Sequence, residues 1–136
     1  MEQLKTSKPD GRTVLLTSLT PFTAFPWLYT KLNYDPFADY EPVATVATFK
    51  YVFAVGMEVK ASNLAEFIAL VKSQPGKLSY SSAGTGNGSH LTVELFREAA
   101  GGLDMVHVPY KGGAPAVQAL LNGEVQLSSV SVNTAL

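Results

Sequence analysis

Leu78-Ser79-Tyr80-Ser81-Ser82-Ala83-Gly84-Thr85-Gly86-Asn87-Gly88-Ser89-His90 holds the residues best suited to chemistry. Three alternate glycines, Gly84, Gly86 and Gly88, stand among Ser81, Ser82, Thr85, Asn87 and Ser89. A short strand leads in and an amphipathic helix leads out. Such a junction aims backbone N–H groups, and the positive end of a helix dipole, at one point. A small anion such as a carboxylate or phosphate suits it. The plainer alternative is a tight turn that only lets the helix pack close to the sheet. The pattern is GxGxG, not the dinucleotide-binding GxGxxG, and no acidic residue closes the next strand. No Gly-Lys-Ser/Thr ends the loop, so it is not a Walker phosphate loop.

His90 falls in the first turn of the helix. No carboxylate or serine stands at a spacing to work with it as a base, so its expected role is to hydrogen-bond the loop and order it. His107 lies inside an apolar strand and reads as a structural histidine. The two lack metal-ligand spacing, and the chain has no cysteine, so no metal or cofactor is expected. Pro109-Tyr110-Lys111-Gly112-Gly113 is a second strand-to-helix junction. If its strand neighbours the first, both loops open into one cleft. Tyr110 could then pack on or hydrogen-bond a ligand, and Lys111 could add positive charge; a solvated surface lysine is the alternative. With no nucleophile–base pair in view, an enzyme is not expected.

The elements that position these loops follow from apolar patterning. Thr13–Ser18, Val43–Thr48 and Tyr51–Val55 are rich in β-branched and aromatic residues and read as strands. Asn63 with Glu66 forms a capping box for a helix whose stripe is Leu64, Phe67, Ile68 and Val71, ended by Pro75-Gly76. A strand at 78–82, a helix from Asn87 to Ala100, a strand at 103–108, a helix from Ala114 to Leu121 and a strand at 125–130 follow. Asn133-Thr134-Ala135-Leu136 reads as a helix start. Pro26 stands early in one or two helical turns. Strands alternating with helices predict an α/β fold, a mainly parallel sheet flanked by helices.

The 136 residues suffice for one domain, and 46% hydrophobic with 15% charged residues argues against disorder. A net charge of −1 without a basic block gives nucleic acid and anionic membranes no purchase. No apolar run spans a bilayer, and the leader Met1–Lys8 lacks a signal-peptide core. As written, the expectation is a cytoplasmic location and no membrane insertion.

Pro75–Gly86, Ser89-His90-Leu91, Glu94-Leu95-Phe96 and Val106–Gly112 together resemble the Bug, or TctC-like, receptors, the solute-binding proteins of tripartite tricarboxylate transporters. Pro9-Asp10-Gly11, Leu32–Pro36 and Phe67–Lys72 match as well. The resemblance runs from about residue 8 to the C-terminus. It implies a periplasmic receptor of the two-lobed, type II binding-protein kind, whose small carboxylates are held between lobes by one loop from each. The second-lobe loop matches Ser81–His90. The resemblance thus implies a ligand set of Ser81, Ser82, Ala83, Gly84, Thr85, Gly86, Asn87, Gly88, Ser89 and His90, with Tyr110 and Lys111 from the second loop. Val130 stands where these receptors often carry an aspartate.

The family's first strand, its first-lobe glycine loop and the end of its second lobe find no counterpart. The chain is therefore expected to comprise a polar leader (1–8), a first-lobe remnant (9–45) and a C-terminally truncated second lobe (46–136). A half-cleft should bind carboxylates weakly, as a vestigial module. Bare strand edges and apolar patches should favour a homodimer, with swapping of elements open. The alternative is a self-associating structural or interaction domain without ligand.

Overall fold

The computed structural model describes residues 1–135, and two compact units divide them at Ala47 and Thr48. In the first unit the helices are single turns: α1 (Glu2–Lys5), α2 (Thr20–Thr23) and α3 (Phe25–Leu28). Pro21 and Pro26 sit at the starts of α2 and α3, where a missing N–H costs nothing. The aromatic loop after them is pinned by polar contacts. Asp35 accepts from the N–H groups of Phe37 and Ala38, Lys5 pairs with Asp39 at 2.7 Å, and the Tyr34 hydroxyl donates to the Pro21 carbonyl. Thr13–Ser18 is not a strand. It is exposed and joins no strand among the described residues.

The second unit comprises β1 (Tyr51–Val55), α4 (Leu64–Ser73), β2 (Ser79–Ser82), α5 (Gly88–Ala99), β3 (Val106–Pro109), α6 (Gly113–Leu121), β4 (Leu127–Ser131) and α7 (Val132–Ala135). Leu136, expected in the last helix, lies outside the described residues. The sheet order is β1-β4-β2-β3. β2 runs parallel to both β3 and β4, and β1 is an antiparallel edge strand. The sheet is thus mainly parallel and flanked by helices. The run Val43–Thr48 belongs to no strand; pairing begins at Tyr51, opposite Ser131.

Two crossovers leave β3's side of the sheet in opposite senses, which places α5 and α6 on opposite faces. On one face Phe67 and Val71 of α4 and Val93 of α5 pack on Tyr80 and Leu127, with Leu78, Leu103 and Met105 completing the core. On the other, α6 contributes Ala119 and Leu120 to a smaller cluster around Val125. The capping expectation for α4 is met at Asn63 and shifted at Glu66. Asn63 Oδ1 accepts from Glu66 N–H at 3.0 Å, while the Glu66 carboxylate reaches back to Ser62 N–H at 2.7 Å. The return bond lands one residue earlier than a standard capping box.

Candidate glycine-loop binding site

β2, β3 and β4 are parallel, so their carboxyl ends share one edge, where ligand crevices form in such sheets. The loop 83–87 leaves β2 there. Gly84 and Gly86 take φ values of 129° and 76°, a region closed to most side chains. Asn87 caps α5, its Oδ1 accepting from Ser89 N–H at 3.1 Å. The helix thus begins one residue later than the sequence suggested.

Most of the loop's donors are used within it. Ala83 N–H donates to Ser89 Oγ at 3.0 Å, Gly84 N–H to Ser82 Oγ at 3.2 Å and Asn87 N–H to the Gly84 carbonyl at 3.1 Å. Gly86 N–H donates to His90 Nδ1 at 3.2 Å. The expectation that His90 orders the loop is therefore met. The N–H groups of Thr85, Gly88 and His90 find no acceptor among the described residues. Thr85 is exposed. The cradle open to an anion is narrower than the motif suggested: three N–H groups and one hydroxyl.

The remaining candidates divide. Ser81 is fully buried and points away, its Oγ 3.0 Å from the Ala116 carbonyl and 2.8 Å from Ser128 Oγ. It joins β2 to α6 and β4. β2 and β3 are neighbours, and Tyr110 N–H donates to the Ser82 carbonyl at 2.9 Å. The two junctions thus adjoin through backbone. The Tyr110 ring, however, packs on the smaller core and its hydroxyl donates to Glu124 at 3.3 Å. Lys111 is exposed.

Residues missed by sequence reasoning surround the histidines. The rings of His90 and His107 stack with centroids 4.1 Å apart, and Tyr80 stacks on His107 at 4.8 Å. The Tyr80 hydroxyl donates to Glu94, which Arg97 pairs at 2.7 Å. Glu94 also lies 3.8 Å from His90 Nε2. The expectation that no carboxylate works with His90 is thus corrected: Glu94 stands one helical turn on, a signal present in the His90–Glu94 spacing. Tyr51, on β1, was also missed. A Cβ at Gly88 would meet its hydroxyl at 2.6 Å, so a phenol covers the first turn of α5. Ser129, opposite Phe53 on the neighbouring strand β4, is buried with an unpartnered hydroxyl.

Burial pushes the His107 ring down to about 4, and His90 beside it adds to the effect. Burial likewise lowers His90, with Glu94 opposing and Arg97 reinforcing. Burial and the bond to Glu94 raise Tyr80. For Glu94, burial works against the ionised form, but bonds from Tyr80 and Arg97 outweigh it and hold the carboxyl below its ordinary range.

Ser82 Oγ lies 2.7 Å from His107 Nε2, a nucleophile–base contact the sequence did not reveal. It is not catalytic geometry. Ser82 is fully buried, its oxygen already accepts from Gly84, and no carboxylate hydrogen-bonds His107 among the described residues.

Comparison with known proteins bears on the whole chain. The family model described as tripartite tricarboxylate transporter family receptor matches residues 1–136. A UPF0065 protein of Bordetella pertussis is 36% identical over 135 residues, covering 99% of this chain and 41% of its own. Protein BugT of the same organism is 34% identical over 121 residues, covering 88% of this chain and 36% of its own. The chain thus spans about two fifths of the length of the curated relatives it matches. Among solved structures, one described as a periplasmic transporter superposes with a TM-score of 0.89 at 34% identity, over 98% of this chain and 44% of that one. MatC from Rhodopseudomonas palustris with bound malate superposes at 0.86 with 28% identity, over 98% and 45%. An R. palustris protein with adipate superposes at 0.74 with 30% identity, over 79% and 36%. The matching family is one of receptors rather than enzymes, and no helix among the described residues is long and apolar enough to cross a membrane. The chain belongs to the family of tripartite tricarboxylate transporter receptors.

Proposed function

We propose that this chain is a solute-binding module whose glycine loop holds one carboxylate of a small organic acid. The carrying observation is the group of N–H donors at Thr85, Gly88 and His90, left open at the start of a twelve-residue helix. An anion there gains hydrogen bonds and the favourable end of the helix dipole, worth about 0.3–1 kcal/mol when exposed. The malate and adipate in two similar structures support a small dicarboxylate as the class of ligand.

In this reading residues 46–136 are a second-lobe portion and 9–45 a first-lobe portion, which the division at Ala47 and Thr48 supports. Of the residues expected at the site, Thr85, Gly88 and His90 offer the contacts. Ser82, Gly84, Gly86, Asn87 and Ser89 hold the loop's shape, and Tyr110 fixes its flank through backbone. Malate and adipate at millimolar concentration should raise the melting temperature of the full chain, by RT ln(1 + [L]/Kd) in stability. Asn87→Ala should lose most of that rise. No rise with either acid sinks the proposal.

A further inference from the structure

We propose that His90 and His107 are a proton-sensitive positioning pair: only as a neutral imidazole does His90 hold Gly86, and the protonation of His107 sets the orientation of the Ser82 hydroxyl that holds Gly84. The network assigns the tautomer of His90. His90 Nδ1 accepts from Gly86 N–H at 3.2 Å, so its ring proton sits on Nε2. Ser82 Oγ accepts from Gly84 N–H at 3.2 Å and is itself hydrogen-bonded to His107 Nε2 at 2.7 Å. One loop N–H therefore ends on an imidazole lone pair, and a second on a hydroxyl that the other imidazole holds.

A proton on His90 Nδ1 turns that acceptor into a donor and leaves the Gly86 N–H, on a buried residue, without a partner. Full protonation of His107 makes Nε2 a donor, so the Ser82 hydroxyl proton must turn away from it. With ring centroids 4.1 Å apart, the first proton suppresses the second. The charged groups facing the pair are Glu94 and Arg97 on α5, and Tyr80 on β2 stacks against it. Glu94 is the one carboxylate among them, and Tyr80 and Arg97 already engage it. The site thus has little to offer an imidazolium, and proton uptake is accommodated by release of the loop. Its bearing on ligand rests on the carboxylate reading above: a released loop no longer presents Thr85, Gly88 and His90 together, so affinity falls with pH.

The test uses the full chain, labelled with 15N and titrated from about pH 7.5, where histidine is ordinarily neutral, to about pH 3.5, below the value of about 4 to which burial pushes His107. The Gly86 amide resonance should move in step with the His90 ring, and Gly84 with His107. His90→Asn keeps an acceptor at the Nδ1 position and cannot titrate. In it the Gly86 amide should stay in place while Gly84 still moves. His90→Leu should displace the Gly86 amide at every pH. Calorimetry with malate should show affinity falling about tenfold more across this range in the wild type than in His90→Asn; protonation of malate itself is common to both. An unmoved Gly86 amide in the wild type, or the same pH profile in His90→Asn, overturns the proposal. If the amides follow the rings but malate binds at no pH, the positioning pair stands and the carboxylate reading falls.

Discussion

His107 carries a stability consequence that does not depend on any ligand. Burial and the neighbouring His90 ring hold it down to about 4, and His90 is lowered too. The unfolded chain, with ordinary imidazoles near 6.5, therefore binds more protons than the native state in the interval between. Stability from this source is full above about pH 6.5 and is lost as pH falls toward about 4. Discounted for the solvent that reaches a half-buried ring, the loss is on the order of 1 kcal/mol. Urea denaturation at several pH values should show it, and His107→Gln, which keeps an acceptor for Ser82 without a titrating proton, should reduce it. An equal decline in that variant would show that other groups are responsible. Part of this arrangement was open to sequence reading. His90, Glu94 and Arg97 lie at four- and three-residue spacings on one helix, a face that patterning exposes. The other half was not, because His107 reaches Tyr80 only through the pairing of β2 with β3, and no local pattern states which strands pair in what register.

Helices were easier to read than strands because their signals are local. α4 shows this: its cap lies in Asn63, its stripe in Leu64, Phe67, Ile68 and Val71, and its stop in Pro75-Gly76, and it folds over Leu64–Ser73. Asn63→Ala removes the acceptor for Glu66 N–H and should cost about 1 kcal/mol, read as a lower urea midpoint with an unchanged slope. Asn63→Asp should retain most of the stability, since a carboxylate serves the same N–H. A loss far below this in Asn63→Ala would mean that the Glu66 bond to Ser62 caps the helix alone. The strands at Thr13–Ser18 and Val43–Thr48 failed for the opposite reason. Their composition suits a pleated, half-buried surface, but composition does not supply a neighbour. Val43 and Val46 are exposed in the structure, whereas Val130, in the same sheet face as Ser81's contacts, is buried because β1 and α6 meet β4. The glycine loop stood between these cases. Its place after a strand and before a helix was plain from the sequence, but the internal use of its N–H groups was not, since it depends on where Ser82, Ser89 and His90 fold back.

Across the whole molecule, burial is divided unequally between the two units. Both hydrophobic clusters belong to residues 48–136. In residues 1–47 only Thr20 and Pro21 are buried, while Trp27 is 89% and Phe37 83% exposed. The helices there are four residues long, too short to persist without packing. The aromatic contacts Phe22–Tyr40, Tyr34–Tyr40 and Phe25–Tyr29 are partly exposed, each worth about 1 kcal/mol at most, and the Lys5–Asp39 pair is screened by solvent and contributes little. Local opening of this unit therefore costs far less than opening of the sheet. Limited digestion with chymotrypsin should cut first at Trp27, Phe37 or their neighbours, and leave a resistant product that contains β1 through β4. Amide exchange should follow the same order, fast throughout residues 1–47 and slowest in β2 and β4, whose residues are the most deeply buried. Early cuts within α5 or β2 would contradict this order. They would mean that the glycine loop, not the first unit, is the weakest part of the chain, and that its hydrogen bonds to Ser82, Ser89 and His90 do not hold it in solution.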